Sequence, residues 1–149
     1  MSERSNEVTR SIINTNRAPS AIGPYSQAVK VGGLVFLSGQ IPLDPESMAL
    51  VSDDVAEQTQ QVFRNLGAVA EAAGGSLNDL VKLTVYLRDL GDFQTVNTVM
   101  ESFFSAPFPA RAAIGVADLP RGAAVEVEGI MSLQGTATAS TASGDSPVE

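Results

Sequence analysis

PFPARAAIGVADLPRGAAVEVE, residues Pro107 to Glu128, holds two strand signals and the turn between them. Arg111 follows a Pro-x-Pro-Ala bend and is the lone charge in an apolar run, and Glu126 alternates with valines in AAVEVEGI. Both segments are rich in β-branched residues, and Asp118-Leu119-Pro120-Arg121-Gly122 supplies turn chemistry between them. Two neighbouring strands would then present a fixed cation and a carboxylate toward one place. Arginine suits a small carboxylate ligand, because its planar fork donates two parallel hydrogen bonds. A structural ion pair between Arg111 and Glu126, or two solvated charges, would use the same residues, and the spacing does not choose.

Upstream, Asp92 is placed to cap a helix whose Phe93, Val96, Met100 and Phe103 share one face, and Pro107 and Pro109 end it. Leu80 to Arg88 alternates, with Val81, Leu83, Val85 and Leu87 on one side and Lys82, Thr84, Tyr86 and Arg88 on the other. That is a strand half buried on a core. A longer helix precedes it: Ser52, Asp53 and Asp54 offer caps, and Val55, Thr59, Val62, Leu66, Val69 and Ala73 recur at helical spacing up to Gly74-Gly75. Ser26 to Val31 and Leu34 to Ser38 flank Gly32-Gly33 as a hairpin, and the prolines of Gly39 to Pro45 take the chain out of the sheet. Val8 to Asn14 reads as an edge strand. The expected organisation is a flexible N-terminus and edge strand over 1–12, one domain over 13–133, and a disordered tail over 134–149, whose TATASTASGDSPVE has little to bury.

The element order predicts an α+β fold, a mixed sheet with two helices on one face. The other face stays uncovered although the strands carry apolar residues on both sides, notably Ala110, Ala112, Ile114, Val125 and Val127. An uncovered apolar sheet face marks an association surface, so an oligomer is expected.

Composition narrows the chemistry. A net charge of −8 with nine scattered Lys and Arg argues against a nucleic-acid partner. No apolar run approaches the roughly 20 residues of a membrane span, and no signal-peptide core is evident, so a soluble cytoplasmic protein is expected. The chain has no His and no Cys, which removes the Ser-His-Asp triad, the Cys-His pair and the ordinary zinc site. No phosphate-binding glycine loop is present. Neither metal nor cofactor is expected. Catalysis would rest on carboxylates, Arg, Tyr, hydroxyls, amides, backbone groups and water.

The segments APSAIGPYSQAV, VFLSGQIPLDP, DLVKLTVYLRDLGDFQTVN, FPARAAIGVADLP and VEVEGI together resemble the RidA/YjgF family of reactive-intermediate deaminases. The likeness runs from about Ile13 to Leu133, and Pro109-Ala110-Arg111 with Val125-Glu126-Val127-Glu128 matches the family signature. The resemblance implies a chorismate-mutase-like subunit, a homotrimer with its sheets packed inward as a barrel, and active sites in clefts between subunits. It implies substrates that are 2-imino or 2-aminoalkenoic acids, such as 2-iminopropanoate and 2-iminobutanoate, released by pyridoxal-phosphate-dependent dehydratases. They are hydrolysed to 2-oxo acids and ammonia. By the same resemblance Arg111 takes the substrate carboxylate and Glu126 holds water or the departing nitrogen. Tyr25, Ser38 and Asn97 fall on cleft-lining positions.

Each residue also has a plainer use. Tyr25 could anchor a loop, Ser38 could bond backbone at a strand end, and Gly39 relieves a tight backbone approach rather than binding ligand. Glu128 shares a side with Glu126 by period two, and only the resemblance selects Glu126. Ala113 stands where well-known family members carry cysteine, so a role there is expected to run through the main chain. The Phe104–Phe108 loop is shorter than in those members. A non-enzymatic trimer that binds small carboxylates is the alternative, as is a deaminase of a different imine. The endoribonuclease label the family has also carried finds no support in an acidic chain without histidine.

Overall fold

A computed structural model describes residues 9–133. Strands β1 (Arg10–Ile13), β2 (Ala28–Val31), β3 (Leu34–Gln40), β4 (Leu80–Leu87), β5 (Ala110–Gly115) and β6 (Val125–Ser132) form one mixed sheet in the order β1-β2-β3-β6-β4-β5. Helices α1 (Val55–Ala72) and α2 (Phe93–Phe103) cover one face. All ladders are antiparallel except β4–β5, which the intervening α2 makes parallel. The α+β expectation holds. β1 falls within the edge strand expected over Val8 to Asn14, and the expected tail over 134–149 lies outside the described residues.

Burial follows the sequence pattern where the pattern is regular. Val62, Phe63, Leu66 and Val69 of α1 are fully buried against Val35, Leu83, Val85, Val125, Val127 and Met131. Phe63 meets Phe103 and Phe104 with ring centroids 5.6 and 5.4 Å away, fastening α1 to the end of α2. Asp54 caps α1 by accepting from the Glu57 N–H at 3.0 Å.

Three local expectations need correction. Asp92 makes no side-chain cap; α2 is entered through a short 3₁₀ turn, Leu90–Asp92, whose start is capped by Asp89 accepting from Gly91 N–H at 2.9 Å. Val81 is 47% exposed rather than in the core, because the β4–β6 register slips between Leu80 and Lys82 and Leu80 takes the inward place. β3 does not end at Ser38 but runs on to Gln40 through a bulge opposite Glu128. Of the apolar residues expected on the two sides of the sheet, Val125 and Val127 lie under the helices at 0% exposure, while Ile114, together with Leu34 and Phe36, marks the uncovered face, each more than 40% exposed.

Buried amides brace the loops around this sheet. Gln27 Nε2 donates to Pro19 O at 2.8 Å and to Thr15 O at 3.0 Å, while its Oε1 accepts from Thr15 N–H at 2.7 Å. Gln58 Oε1 accepts from Ala124 N–H at 2.8 Å, which holds the approach to β6 against α1. Among the described residues no buried side-chain nitrogen or oxygen lacks a partner.

Candidate active site

The sheet order overturns one expectation about the signature stretch. β5 and β6 are not neighbours, because β4 lies between them. Arg111 is paired with Leu83 and Ala113 with Val85, so both side chains stand on the helix-covered face. Glu126 is paired with Tyr86 and Glu128 with Thr84, which puts both carboxylates on the open face. Within one chain, then, Arg111 and Glu126 look away from each other. The possible Arg111–Glu126 ion pair is absent, and the one salt bridge among the described residues joins Arg17 to Glu71 on the surface.

The first group forms at the free edge of β5. Arg111 Nη1 donates to Asn97 Oδ1 at 2.6 Å and lies 3.6 Å from Met100 Sδ, while its guanidinium carbon stands 4.9 Å from the centre of the Phe93 ring. One strand thus supplies the cation and α2 supplies the three groups that aim it. Nε and Nη2 have no hydrogen-bond partner among the described residues, so part of the fork is open to a ligand. The surrounding cleft of about 420 Å³ is walled by Gln94, Asn97, Met100, Phe108, Pro109 and Arg111. Ala113 does not line it with its methyl, which packs against the core. Its main chain is another matter. Val116 N–H donates to Leu87 O, so by strand alternation the N–H and C=O groups of Arg111 and Ala113 point away from β4, off the sheet edge.

The second group is built on the open face. Tyr25, Ser38, Gly39, Arg121, Glu126 and Glu128 line a cleft of about 610 Å³. Ser38 Oγ donates to Ser26 O at 2.6 Å and its N–H donates to Gln27 O at 3.0 Å, so its remaining capacity is as an acceptor. Tyr25 is 51% exposed, and its hydroxyl accepts from Ile22 N–H at 3.4 Å. At the β3 bulge the carboxylate of Glu126 lies directly on Gly39: a Cβ there would overlap Oε2 and stand 3.0 Å from Cδ. Close approach is what this glycine provides. Burial, and secondarily the charge of Glu128, push the Glu126 carboxyl above its ordinary pKa of 4.5. Tyr86 opposite it is raised from 10.0 mainly by burial, then by Glu128 and Glu126.

The residues singled out from sequence therefore fall into two sets: Arg111, Asn97 and Ala113 at the β5 edge, and Tyr25, Ser38 and Glu126 on the open face. Sequence reasoning missed Phe93 and Met100 as supports of Arg111, since helical period marks them only as core. It also missed Arg121 and Tyr86 beside Glu126. Strand alternation had already put Tyr86 on the polar side, the one signal that could have found it.

Comparison with known proteins bears on what such a pair of clefts belongs to. Residues 15–132 match the family described as Endoribonuclease L-PSP, which is the RidA/YjgF family. The chain belongs to the RidA/YjgF family. A RutC family protein of Sinorhizobium fredii is 54% identical over 121 residues, covering 81% of this chain and 96% of that one. A mouse protein named 2-iminobutanoate/2-iminopropanoate deaminase is 50% identical over 123 residues, covering 83% and 91%. The crystal structure of RidA from an Antarctic Psychrobacter superposes with a TM-score of 0.80 at 52% identity, covering 82% of this chain and 98% of that one. The RidA/YjgF fold is thus shared across nearly all the described residues. Among these residues no helix is long and apolar enough to cross a membrane.

Proposed function

We propose that the protein is a deaminase of small reactive 2-imino acids, working as a homotrimer whose sites each combine the Arg111 group of one copy with the Glu126 group of the next. The observation that carries this is the split itself. An aimed guanidinium with no salt-bridge partner among the described residues sits at a sheet edge, and a carboxylate of raised pKa sits on an apolar, uncovered face of the same sheet. Neither group is complete alone, and a second copy laid on the open face would cover Leu34, Phe36 and Ile114 while bringing the two together. The relatives named as deaminases support the reaction class.

The chemistry asks little of the residues. The substrate carboxylate takes Nε–H and Nη2–H of Arg111, and Asn97 keeps the fork from turning. The outward-facing main chain at Ala113 orients the attacking water. Addition of water to the C=N carbon gives a carbinolamine, and Glu126 delivers a proton to the nitrogen as the C–N bond breaks. The balance is imine plus water to 2-oxo acid plus ammonia. An imine is already electrophilic, so positioning and one proton relay suffice without a nucleophilic side chain. A 2-aminoalkenoate enters the same path after protonation at carbon 3. Pyridoxal-phosphate-dependent dehydratases acting on serine or threonine are the class of enzyme that would supply such substrates.

A threonine dehydratase coupled to this protein tests the reading. Imine absorbance should disappear faster on addition of the protein, and light scattering should give about three times the 15.5 kDa chain mass. Tight binding of 2-oxo acids without acceleration would support the carboxylate-binding alternative instead, and a clean monomer would remove the shared site.

A further inference from the structure

We propose that Arg121 is a specificity determinant that selects imino acids carrying a second, terminal carboxylate. The inference deepens the deaminase reading and rests on it. Arg111 accounts for the carboxylate next to the imine carbon, yet the Glu126 cleft contains a cation of its own. Arg121 lines that cleft together with Tyr25, Ser38, Glu126 and Glu128.

The backbone shows that this placement is built. Arg121 has φ 61° and Met48 has φ 61°, and among the described residues these two are the non-glycine positions with positive φ. They are joined to each other: Arg121 Nη1 donates to Met48 O at 3.0 Å across 73 residues of chain. Side chains seldom adopt this conformation, and an ordinary turn would put Gly or Asn there. Gly122, the next residue, does take φ 71° without penalty. The bond ties Arg121, at the wall of the cleft, to the loop at Met48, and positive φ at a residue other than glycine is a feature that clusters at ligand clamps.

Charge points to the ligand. Glu126 and Glu128 face the same cleft, but neither lies within 4.0 Å of the Arg121 guanidinium, so the cation is not consumed by them. Met48 O occupies Nη1, and among the described residues the other donors are unused. A planar fork with free donors at the cleft wall fits a carboxylate better than water or a methyl group. The fitting substrates are the imines of dicarboxylic amino acids, hydrolysed to 2-oxo diacids and ammonia by the path above.

The test compares 2-iminoglutarate with 2-iminopentanoate, formed in situ from glutamate and norvaline by amino-acid oxidases, with semicarbazide trapping the residual imine. Wild type should favour 2-iminoglutarate by about tenfold in kcat/KM, the lower end expected for a hydrogen bond to a charged group. Arg121→Gln should abolish that ratio, Arg121→Lys should restore part of it, and raising salt should erode it in wild type. A wild-type preference for 2-iminopentanoate, or a ratio unchanged in Arg121→Gln, overturns the assignment while leaving the deaminase reading standing. Failure to hydrolyse either imine would overturn both.

Discussion

Gly39→Ala should disable the Glu126 side of the site while leaving the fold in place. A Cβ at position 39 would overlap Glu126 Oε2 and stand 3.0 Å from Cδ and 3.2 Å from Cγ, whereas ordinary contact begins at 3.4 Å. The atoms in the way are the end of a flexible side chain, so the carboxylate must swing aside by on the order of 1 Å. Gly39 has no positive φ, and alanine therefore brings no backbone strain. A displacement of ~1 Å of a reacting group costs on the order of a hundredfold, or ~2.7 kcal/mol of barrier. The coupled dehydratase assay should then show kcat lowered by about that factor, with KM little changed because Arg111 is untouched. Light scattering and a thermal melt close to wild type would show that assembly and fold survive. Activity within threefold of wild type would mean that the position of Glu126 against Gly39 has no part in catalysis.

Asn97→Ala should raise KM by about tenfold in the same assay, since Arg111 loses the 2.6 Å bond that aims its fork; an unchanged KM would remove Asn97 from the site. Glu126→Gln should cost about a hundredfold in kcat, as expected for loss of a general acid. Ala113→Cys should change the rate by less than about fivefold, because only the main chain at that position is used. A hundredfold gain would assign the role to a thiol.

The regular elements were legible because their periods were clean. The α1 stripe from Val62 to Val69 and the alternation of Leu83, Val85 and Leu87 named buried residues correctly. Local signals failed where a register slip or an alternative cap intervened, as at Val81 and Asp92, since both depend on pairing partners that a single segment does not display. Candidate site residues were legible one by one, but their grouping was not. Reading β5 and β6 as neighbours put Arg111 and Glu126 in one place, and only the insertion of β4 between them reveals two faces. Gly39 was correctly read as allowing close approach, although which group approaches, Glu126, comes from the β3 bulge.

Complementation between two inactive variants tests the shared site most directly. Arg111→Ala and Glu126→Gln each leave every site in a homotrimer defective. In trimers reassembled from an equal mixture, a contact is intact when an Arg111-bearing chain meets a Glu126-bearing one, which random assortment gives at about one contact in four. The mixture should therefore recover roughly a quarter of wild-type imine hydrolysis. Activity no greater than the sum of the two variants alone, in trimers shown to have exchanged subunits, would contradict a site built from two copies.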